Sequence, residues 1–462
     1  MKTIQPRLFL PRTNDAGLLT ARGGSRRKFL KSVTKTVAAA SLAALDISRF
    51  AHAQGSGVIR LGLIGCGGRG TGATRQALAT GNDMKLVAMA DVLDEKITSS
   101  LTAMRNAGTP SERISVGNQQ RFVGFDAYAS LLASGVDAVV LATPPGFRPL
   151  HFDAAVKAGV HAFLEKPVAV DAPGVRQVIT NAQACKQKGL STIVGLQERF
   201  DRRQEQFMEE ISKGAIGRIT KLNALIRQVN VPRRAQRSNL DKQLGRSATE
   251  MELQIRDWYP FVWLSGDMIV EWLVHHLDTC LRAMGSIPQS VRGVAERREH
   301  TSSDYGNFSD YISAIYHYAS GVELVAEICG LSGATQVYQA TIEGENGIAT
   351  APNQIVDRRG LVIWSPSGAR PDPYQEEMNQ WCASIRNRKG LNTVESAANS
   401  TLVAIMGRTA AYTGREVTWA EMQRSTETFF VRNPKSFQDS PPALPDKFGD
   451  YQTPPRGITT AA

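Results

Sequence analysis

A glycine-rich segment between two apolar runs constrains the fold more than any other part of the chain. The first run, residues 58–64, has strand character, and the turn GCGGRG at residues 65–70 follows it directly. A polar, alanine-rich stretch of helical composition comes next, and a second apolar run, residues 85–90, ends at Asp91, 21 residues after Gly70. A strand, a G-x-G-x-x-G turn, a helix and a strand that ends in an acid are together typical of a dinucleotide site.

Each residue of this segment has a separate physical role. Gly65 allows the tight turn off the strand, Gly67 lets the backbone approach a pyrophosphate, and Gly70 lets the helix pack closely on the sheet. The helix N-terminus offers unpaired N–H groups to the phosphates. Asp91 is expected to accept hydrogen bonds from ribose hydroxyls and to repel a 2′-phosphate, which favours NAD, while Arg69 beside the phosphates leaves NADP possible.

The first 53 residues are predicted to be a twin-arginine export signal. The segment SRRKFLK at residues 25–31 carries the arginine pair, a moderately apolar stretch covers residues 33–45, and residues 51–53, AHA, form a cleavage site. The apolar stretch is too short, and too interrupted by Lys35, to span a bilayer permanently. We therefore expect a periplasmic or otherwise exported protein that has no membrane anchor after cleavage.

The charge and the cysteines exclude several classes of protein. Residues 1–53 contain ten Lys/Arg and two Asp/Glu, so without them the formal net charge falls from +11 to +3. This removes the compositional reason to expect a nucleic-acid partner. The five cysteines are odd in number and form no CxxC pair, so neither a disulfide framework nor a zinc knuckle is indicated.

The hydrophobic pattern predicts an α/β fold in two parts. Strand-like and helix-like segments alternate to about residue 200, which predicts a Rossmann-type doubly wound parallel sheet. Longer runs rich in β-branched and aromatic residues follow, and they predict an α+β domain with an open, mostly antiparallel sheet whose exposed face suits a homo-oligomer. The predicted parts are the signal at 1–53, the NAD(P)-binding domain at 54–200, the α+β substrate and oligomerisation domain at 201–430, and an extended proline-rich tail at 431–462.

Three polar clusters fall at expected strand ends or on a buried helix. Thr143-Pro144 with His151 follows one buried strand, and Glu165-Lys166 follows the next. A helix is predicted over residues 268–284, starting from the N-cap Asp267 and largely apolar around its circumference. A polar ribbon nevertheless runs along it. Burying such a ribbon is costly unless its members pair or face a cleft. Its members are Glu271, His275, Asp278 and Arg282.

These motifs, in this order and spacing, resemble the glucose-fructose oxidoreductase and inositol dehydrogenase superfamily (Gfo/Idh/MocA). The resemblance covers residues 57 to about 415, and residues 251–267 are similar to an exported subgroup. It implies a carbohydrate substrate and a nicotinamide cofactor. The residues implied at the cofactor are Gly65, Gly67, Gly68, Arg69, Gly70, Asp91, Thr143, Pro144, His151, Glu165 and Lys166.

The same residues suit hydride transfer from a carbinol carbon. His275 is the predicted base for the hydroxyl proton, Lys166 would stabilise developing alkoxide charge, and Glu271 could orient the imidazole or bind a neighbouring hydroxyl. A zinc site on His275 and His276 is disfavoured because adjacent helical positions point about 100° apart. No metal site is therefore predicted. The predicted substrate contacts are Arg199, Arg256, Trp258 and Asp278.

Export of a folded nicotinamide enzyme implies that the cofactor travels with it and is not exchanged. Each hydride taken must then be returned on the same protein, so we expect tightly bound NAD in a closed redox cycle. An NAD-dependent glycosidase, which oxidises C3 to permit elimination of the aglycone, is one alternative. A non-catalytic binding protein of the same fold is another.

Overall fold

The computed structural model describes residues 57–231, 233, 236–430, 433–453 and 458–459. The predicted export signal lies outside the described residues. Everything below concerns the compact unit Ser56–Ala462. Within the described ranges, no helix has the length and apolar character needed to cross a membrane.

Six parallel strands form the first sheet, in the order β3-β2-β1-β4-β5-β6. They are β1 (Ile59–Ile64), β2 (Met84–Asp91), β3 (Arg121–Val123), β4 (Ala138–Leu141), β5 (His161–Leu164) and β6 (Thr192–Val194). The strand order reverses between β1 and β4, which is the switch point where ligands bind in doubly wound folds. This confirms the predicted Rossmann-type sheet.

Helices follow the strands of this sheet, and five of them, with the later helix Pro373–Arg386, pack against its two faces. The five are α1 (Gly68–Ala79), α2 (Asp94–Asn106), α3 (Ala127–Ala133), α4 (Arg148–Lys157) and α5 (Ala172–Gln187). The next helix, α6 (Arg202–Ser212), packs through Phe207 on Trp364 of the second part of the chain. Burial on both faces explains why the strands are continuous apolar runs instead of alternating ones. Local signals set the helix starts: the Asp171 carboxylate accepts a hydrogen bond from Gly174 N at 2.9 Å and caps α5.

The second sheet has nine strands in the order β14-β13-β12-β11-β7-β10-β9-β8-β15. They are β7 (Ile219–Arg227), β8 (Ser290–Glu296), β9 (Tyr311–His317), β10 (Glu323–Cys329), β11 (Val337–Gly344), β12 (Gly347–Thr350), β13 (Gln354–Asp357), β14 (Val362–Trp364) and β15 (Val417–Thr418). The mostly antiparallel character is confirmed, with one correction. Strand β7 lies between β10 and β11 and runs parallel to β10, so the four long predicted strands are not all antiparallel neighbours.

One face of the second sheet is covered by helices of the same chain. The remaining helices are α7 (Arg237–Leu244), α8 (Glu250–Arg256), α9 (Val262–Ser265), α10 (Met268–Glu271), α11 (Val274–Met284), α12 (Pro373–Arg386), α13 (Val394–Thr413) and α14 (Trp419–Arg424). Of these, α11 packs on β7 and β11, and α13 packs on β8 and β9. The opposite face is open, with Val294 and Ile315 exposed on it.

The predicted helix over residues 268–284 is interrupted after its first turn. Asp267 caps its start and Gly285, at φ +67°, ends it, as expected. At residues 272–273 the chain leaves the helix, and Leu273 N bonds Met268 O, five residues back, at 3.3 Å. One turn is therefore wider than in a regular α-helix. Such widened turns are frequent at functional sites.

The carboxyl-terminal residues pack along the molecule instead of leaving it. We call residues 426–430 and 433–453 the C-terminal strap. The Phe437 ring packs edge-on against Phe125, with ring centroids 5.3 Å apart. On the other side, the Thr249 hydroxyl donates to Phe437 O at 2.5 Å, and Gln254 Nε2 donates to Ala443 O at 2.6 Å. The strap thus ties the first α/β layer to helix α8.

Candidate active site

The glycine turn has the geometry that a dinucleotide needs. Gly65 has φ +95°, and a Cβ there would lie 2.6 Å from the carbonyl carbon of Ala142. A Cβ on Gly70 would lie 2.1 Å from Gly65 O, so the helix can approach the turn only without a side chain. At Gly67 and Gly68, in contrast, a Cβ would meet no atom within 4 Å. The turn is therefore tight where it packs and open where a pyrophosphate would approach.

A cavity at the β1/β4 switch point collects most of the predicted cofactor residues. Asp91 lies at its wall, where the carboxylate accepts hydrogen bonds from Cys66 N at 2.7 Å and Leu93 N at 3.0 Å. Two backbone donors leave lone pairs on this carboxylate for ribose hydroxyls. The predicted residues that line the cavity are Gly65, Gly67, Gly68, Asp91, Thr143, Pro144 and His151.

His151 is a buried, neutral member of this cavity. Its Nδ1 lies 3.0 Å from the Thr143 hydroxyl, and its ring packs against Tyr128 at 4.5 Å and Phe147 at 5.8 Å between centroids. Burial, with a contribution from Arg148, lowers the pKa of His151 to about 3. At neutral pH the imidazole is therefore a hydrogen-bonding group without charge.

Two residues expected at the substrate line the nucleotide cavity instead. Arg256 is the last residue of helix α8 and Trp258 follows it, and both contribute to the cavity wall. The Arg256 guanidinium pairs with Glu95 of α2 and, at 3.3 Å, with Glu252. Both side chains are therefore placed on the nucleotide side of the cleft because α8 carries them there.

One buried arginine holds the turns that carry the first two polar clusters. Arg148, 1 % exposed, donates to Leu141 O at 3.1 Å, Thr143 O at 2.5 Å and Glu165 O at 2.6 Å. Burial lowers its pKa to about 10. The guanidinium joins the cavity turn after β4 to the turn after β5, so the position of Lys166 is tied to the cavity wall.

Lys166 and Glu271 form a buried ion pair. Lys166 Nζ lies 2.9 Å from Glu271 Oε1 and also donates to the Glu271 carbonyl. Burial raises the pKa of Glu271, and the charge of Lys166 opposes that shift. Glu271 was expected to orient the imidazole or to bind a neighbouring hydroxyl, and the structure shows its Oε1 bound to the lysine. Its second oxygen, Oε2, is buried and has no partner.

His275 follows one turn later and presents an unsatisfied nitrogen. Its Nδ1 is buried without a hydrogen-bond partner, as is Nε2 of the neighbouring His276. Burial, followed by the nearby Lys166 ammonium, lowers the pKa of His275 well below its usual value. The imidazole is therefore neutral at pH 7 and can accept a proton. These two nitrogens and Glu271 Oε2 are three buried polar atoms without a hydrogen-bond partner on one short segment, which indicates a ligand site.

Arg199 and Asp278 satisfy each other instead of pointing at an open site. Arg199 Nη2 lies 2.5 Å from Asp278 Oδ1, and both side chains are buried. The Ser400 hydroxyl also donates to Asp278 at 2.7 Å. Although burial opposes it, Arg199 lowers the pKa of Asp278 below its usual range. This pair fixes α11 to the end of β6. The substrate contacts expected of Arg199 and Asp278 are replaced by this internal ion pair.

Arg69 and Glu165 lie together at the β5 end of the sheet. Arg69 Nε is 2.5 Å from Glu165 Oε1, and Nη2 is 3.0 Å from Glu377 Oε1 on α12. Strand β5 is three positions from β2 in the sheet, so this guanidinium lies far from Asp91 and the ribose it would serve. Arg69 was the residue that left NADP possible, and in this arrangement its guanidinium is not beside the phosphate site.

Several site residues were not found from the sequence. Glu377 and Tyr374 lie more than two hundred residues after the Glu165-Lys166 motif, and no local signal marks them. Tyr259 stacks on Trp258, with ring centroids 3.8 Å apart, and could have been found as its neighbour. Glu198 at the end of β6 accepts from the Thr279 hydroxyl at 3.4 Å, one helical turn after His275.

In the described parts of the chain, no group of three or more metal-ligating side chains has the geometry to hold a metal ion. The five cysteines are buried and free. The candidate site comprises the Lys166–Glu271 pair, the His275 imidazole and the dinucleotide cavity.

A known protein family matches the part of the chain that forms the first sheet. Residues 59–196 match the family GFO_IDH_MocA, described as an oxidoreductase family with an NAD-binding Rossmann fold. The chain is 26 % identical over 299 residues to an inositol 2-dehydrogenase of Rhizobium meliloti, covering 64 % of this chain and 76 % of that one. It is 25 % identical over 267 residues to a D-glucoside 3-dehydrogenase of Escherichia coli, covering 57 % and 65 %.

The fold is also shared with solved structures. Scyllo-inositol dehydrogenase from Lactobacillus casei, with bound NAD(H) and scyllo-inositol, superposes with a TM-score of 0.57 at 18 % identity and covers 79 % of this chain and 99 % of that one. At this identity the likeness concerns the architecture.

Proposed function

We propose that this chain, which belongs to the Gfo/Idh/MocA oxidoreductase family through residues 59–196, moves a hydride between a carbinol carbon of a sugar, polyol or glycoside and bound NAD. The observation that carries the proposal is the Lys166–Glu271 pair, 2.9 Å apart, beside the unpartnered Nδ1 of His275. Arg148 joins this group to the dinucleotide cavity.

The nicotinamide, when bound, supplies the hydride acceptor, and the protein handles the proton and the charge. The hydroxyl of the substrate donates to His275 Nδ1, which takes its proton as the carbonyl forms. Lys166 donates a hydrogen bond to the same oxygen and stabilises the negative charge that develops on it. Glu271 holds the ammonium in place, and its free Oε2 accepts a neighbouring hydroxyl.

The substrate class rests on the unpartnered polar atoms of this group and on the relatives. The inositol 2-dehydrogenase and the D-glucoside 3-dehydrogenase are named for oxidation of a ring hydroxyl. A ring with adjacent hydroxyls would use the unpartnered atoms of Glu271 and His275 together. A simple alcohol would leave one of these buried atoms unsatisfied, which costs about 1–3 kcal/mol.

NAD is held without exchange in this proposal, and the C-terminal strap supports that. Phe125 lines the nucleotide cavity, and Phe437 of the strap packs on its outer face. Lys435 pairs with Asp126 at 3.0 Å, next to Phe125. To open this wall, the dinucleotide must displace the strap as well as helix α8. Retention of the cofactor fits export of the folded protein by the twin-arginine route, and that export is part of the same proposal. Assembly of copies of the chain through the open sheet face is also part of it.

Oxidation followed by elimination is the second candidate, and Glu198 favours it. Burial and the charge of Asp278 raise the pKa of Glu198 to about 7, so this carboxyl exchanges protons near neutrality. A second acid–base group, bound to Thr279 one helical turn after His275, could remove the proton next to a newly formed carbonyl. Release of the aglycone from a chromogenic glycoside, lost in Glu198→Gln while hydride transfer persists, would distinguish this reaction from simple oxidation.

A direct experiment tests the leading proposal. Protein purified by mild steps is denatured, and the supernatant is assayed for NAD(H). The protein with its nucleotide is then mixed with inositols, aldoses and glycosides while the absorbance of reduced nicotinamide is followed. We expect about one nucleotide per chain and a change in redox state with a subset of ring polyols. An empty site that binds NAD only loosely would contradict retention.

A further inference from the structure

Arg69 begins helix α1 but is committed to side chains away from the glycine turn. All three of its nitrogens donate: Nε to Glu165 at 2.5 Å, Nη2 to Glu377 at 3.0 Å and Nη1 to Gln76 at 3.3 Å. The guanidinium also lies 4.5 Å from the centre of the Tyr374 ring. Three of its five N–H groups are therefore already used, two of them on carboxylates that hold the guanidinium away from the glycine turn.

Glu165 is the residue that this arrangement controls. Its Oε1 binds Arg69, its Oε2 accepts from Lys166 N at 3.2 Å, and its carbonyl accepts from Arg148. The space around the carboxylate is also confined, since a Cβ on Gly195 would lie 2.9 Å from Glu165 Oε1. The carboxylate is 9 % exposed and held in a single orientation.

Two carboxylates lie close to the turn that carries Lys166, because Glu165 Oε2 accepts from Lys166 N and Glu271 Oε1 binds the ammonium. An ammonium can pair with either, but only Glu271 draws it across the cleft towards His275. Arg69 occupies Glu165 and removes it from this competition. Glu377, fully buried on α12, holds the far side of the guanidinium and prevents it from turning back to the glycine turn.

We propose that Arg69 is a positioning residue, which binds Glu165 so that the Lys166 ammonium pairs with Glu271 and faces the substrate. This inference rests on the proposed function for its catalytic consequence, while the pairing itself can be measured without substrate. Arg69→Met frees Glu165 to pair with Lys166, and removing the competitor in Arg69→Met/Glu165→Gln restores the Lys166–Glu271 pair.

The test compares Arg69→Met, Glu165→Gln and the double variant, with Arg75→Met as the matched control because Arg75 is an exposed arginine on the same helix. The first readout is the rate at which acetic anhydride labels the Lys166 amine, measured by mass spectrometry against exposed Lys157 in the same sample. In Arg69→Met we expect Lys166 labelling to fall several-fold, and in the double variant to return to the parent rate.

The second readout separates kcat from dinucleotide affinity. Displacing the ammonium should lower kcat by about 10- to 100-fold in Arg69→Met, with a dissociation constant for NAD within about threefold of the parent, and the double variant should recover most of kcat. Weaker NAD binding with kcat unchanged would make Arg69 a phosphate ligand and overturn the inference. A double variant no better than Arg69→Met would also overturn it.

This design distinguishes failure of the proposed function from failure of the role inferred for Arg69. If the parent protein transfers no hydride with any substrate, the proposed function fails, and Lys166 labelling alone decides the role of Arg69. If Arg69→Met does not fold, Arg69→Lys takes its place. Its single ammonium lacks the fork that reaches both carboxylates, so a smaller loss in the same direction is expected, and unchanged labelling would overturn the inference.

Discussion

Lys166 Nζ lies 2.9 Å from Glu271 Oε1, although 105 residues separate them in the chain. The lysine comes from the turn after β5 and the glutamate from the capped helix of the second part of the chain. Their pairing brings the two strongest sequence motifs, apart from the glycine turn, to one point. The carboxylate and the carbonyl of Glu271 take two of the three ammonium N–H groups, which leaves one to bind an oxygen of the substrate.

Removing the ammonium should abolish the stabilisation of developing charge. We expect Lys166→Met to lower kcat by about 100-fold or more, because a charge-assisted hydrogen bond in a buried site is lost. Rapid mixing that follows reduced nicotinamide measures this directly. Lys157→Met is the control, since Lys157 is an exposed lysine at the end of α4. Equal loss in both variants would place the effect outside the site.

The pH profile should identify His275 as a base that is already neutral at physiological pH. Burial and then Lys166 hold its pKa well below 6.5, so protonation, which disables the base, occurs only as the pH falls through that lowered value. We therefore expect kcat/KM to show no loss between pH 7.5 and about pH 6, with the decline at lower pH.

Substitution checks the same assignment. His275→Gln should lose activity over the whole pH range, whereas His317→Gln, at a half-exposed histidine on β9, should keep the parent profile. An inflection close to pH 6.5 in the parent enzyme would contradict a buried, neutral base.

Weakening the strap should speed the escape of the nucleotide. Phe437→Ala removes the ring that backs Phe125, and the loss of about 1 kcal/mol of aromatic packing predicts a release rate about fivefold higher. Fluorescence of bound NADH during dilution into excess NAD measures the rate. Phe448→Ala is the matched control, because Phe448 belongs to the same strap but is 77 % exposed. Equal rates of nucleotide release from both variants would show that the strap does not retain the cofactor.

Asp91 should set the choice between NAD and NADP. Asp91→Ser removes the carboxylate that repels a 2′-phosphate and keeps a hydroxyl for the ribose, so relative affinity for NADP should rise about tenfold or more. The variant also loses acceptors for Cys66 N and Leu93 N, which costs about 1 kcal/mol of stability for each bond. Unchanged preference in titrations with both nucleotides would show that other groups decide it.

The sequence predicts the Rossmann sheet and the glycine turn closely because both follow local rules. Strand β1, Ile59–Ile64, lies within the apolar run predicted at residues 58–64, and Gly65 and Gly70 occupy positions that admit no Cβ. The interruption after α10 could not be read from spacing, since the apolar periodicity continues through it. The parallel pairing of β7 with β10 depends on chain topology over about a hundred residues, for which no local pattern exists.

The candidate site shows the same contrast. Lys166, Glu271 and His275 carry motif signals, and the structure brings them together. The ion-pair partners of the charged residues could not be predicted from the sequence. In the structure Arg199 pairs with Asp278, and Arg69 pairs with Glu165 and the distant Glu377. Charge pairing across long separations depends on which helices cover the sheet, and that information lies in the tertiary packing.

The most direct test of the account is a single-turnover experiment on the parent protein with its bound nucleotide. Addition of a ring polyol or glycoside from the active subset should convert bound NAD to NADH in one phase, and Lys166→Met should slow that phase with the nucleotide still bound. A parent protein that binds NAD at the glycine turn yet shows no redox change with any inositol, aldose or glycoside would contradict the central claim.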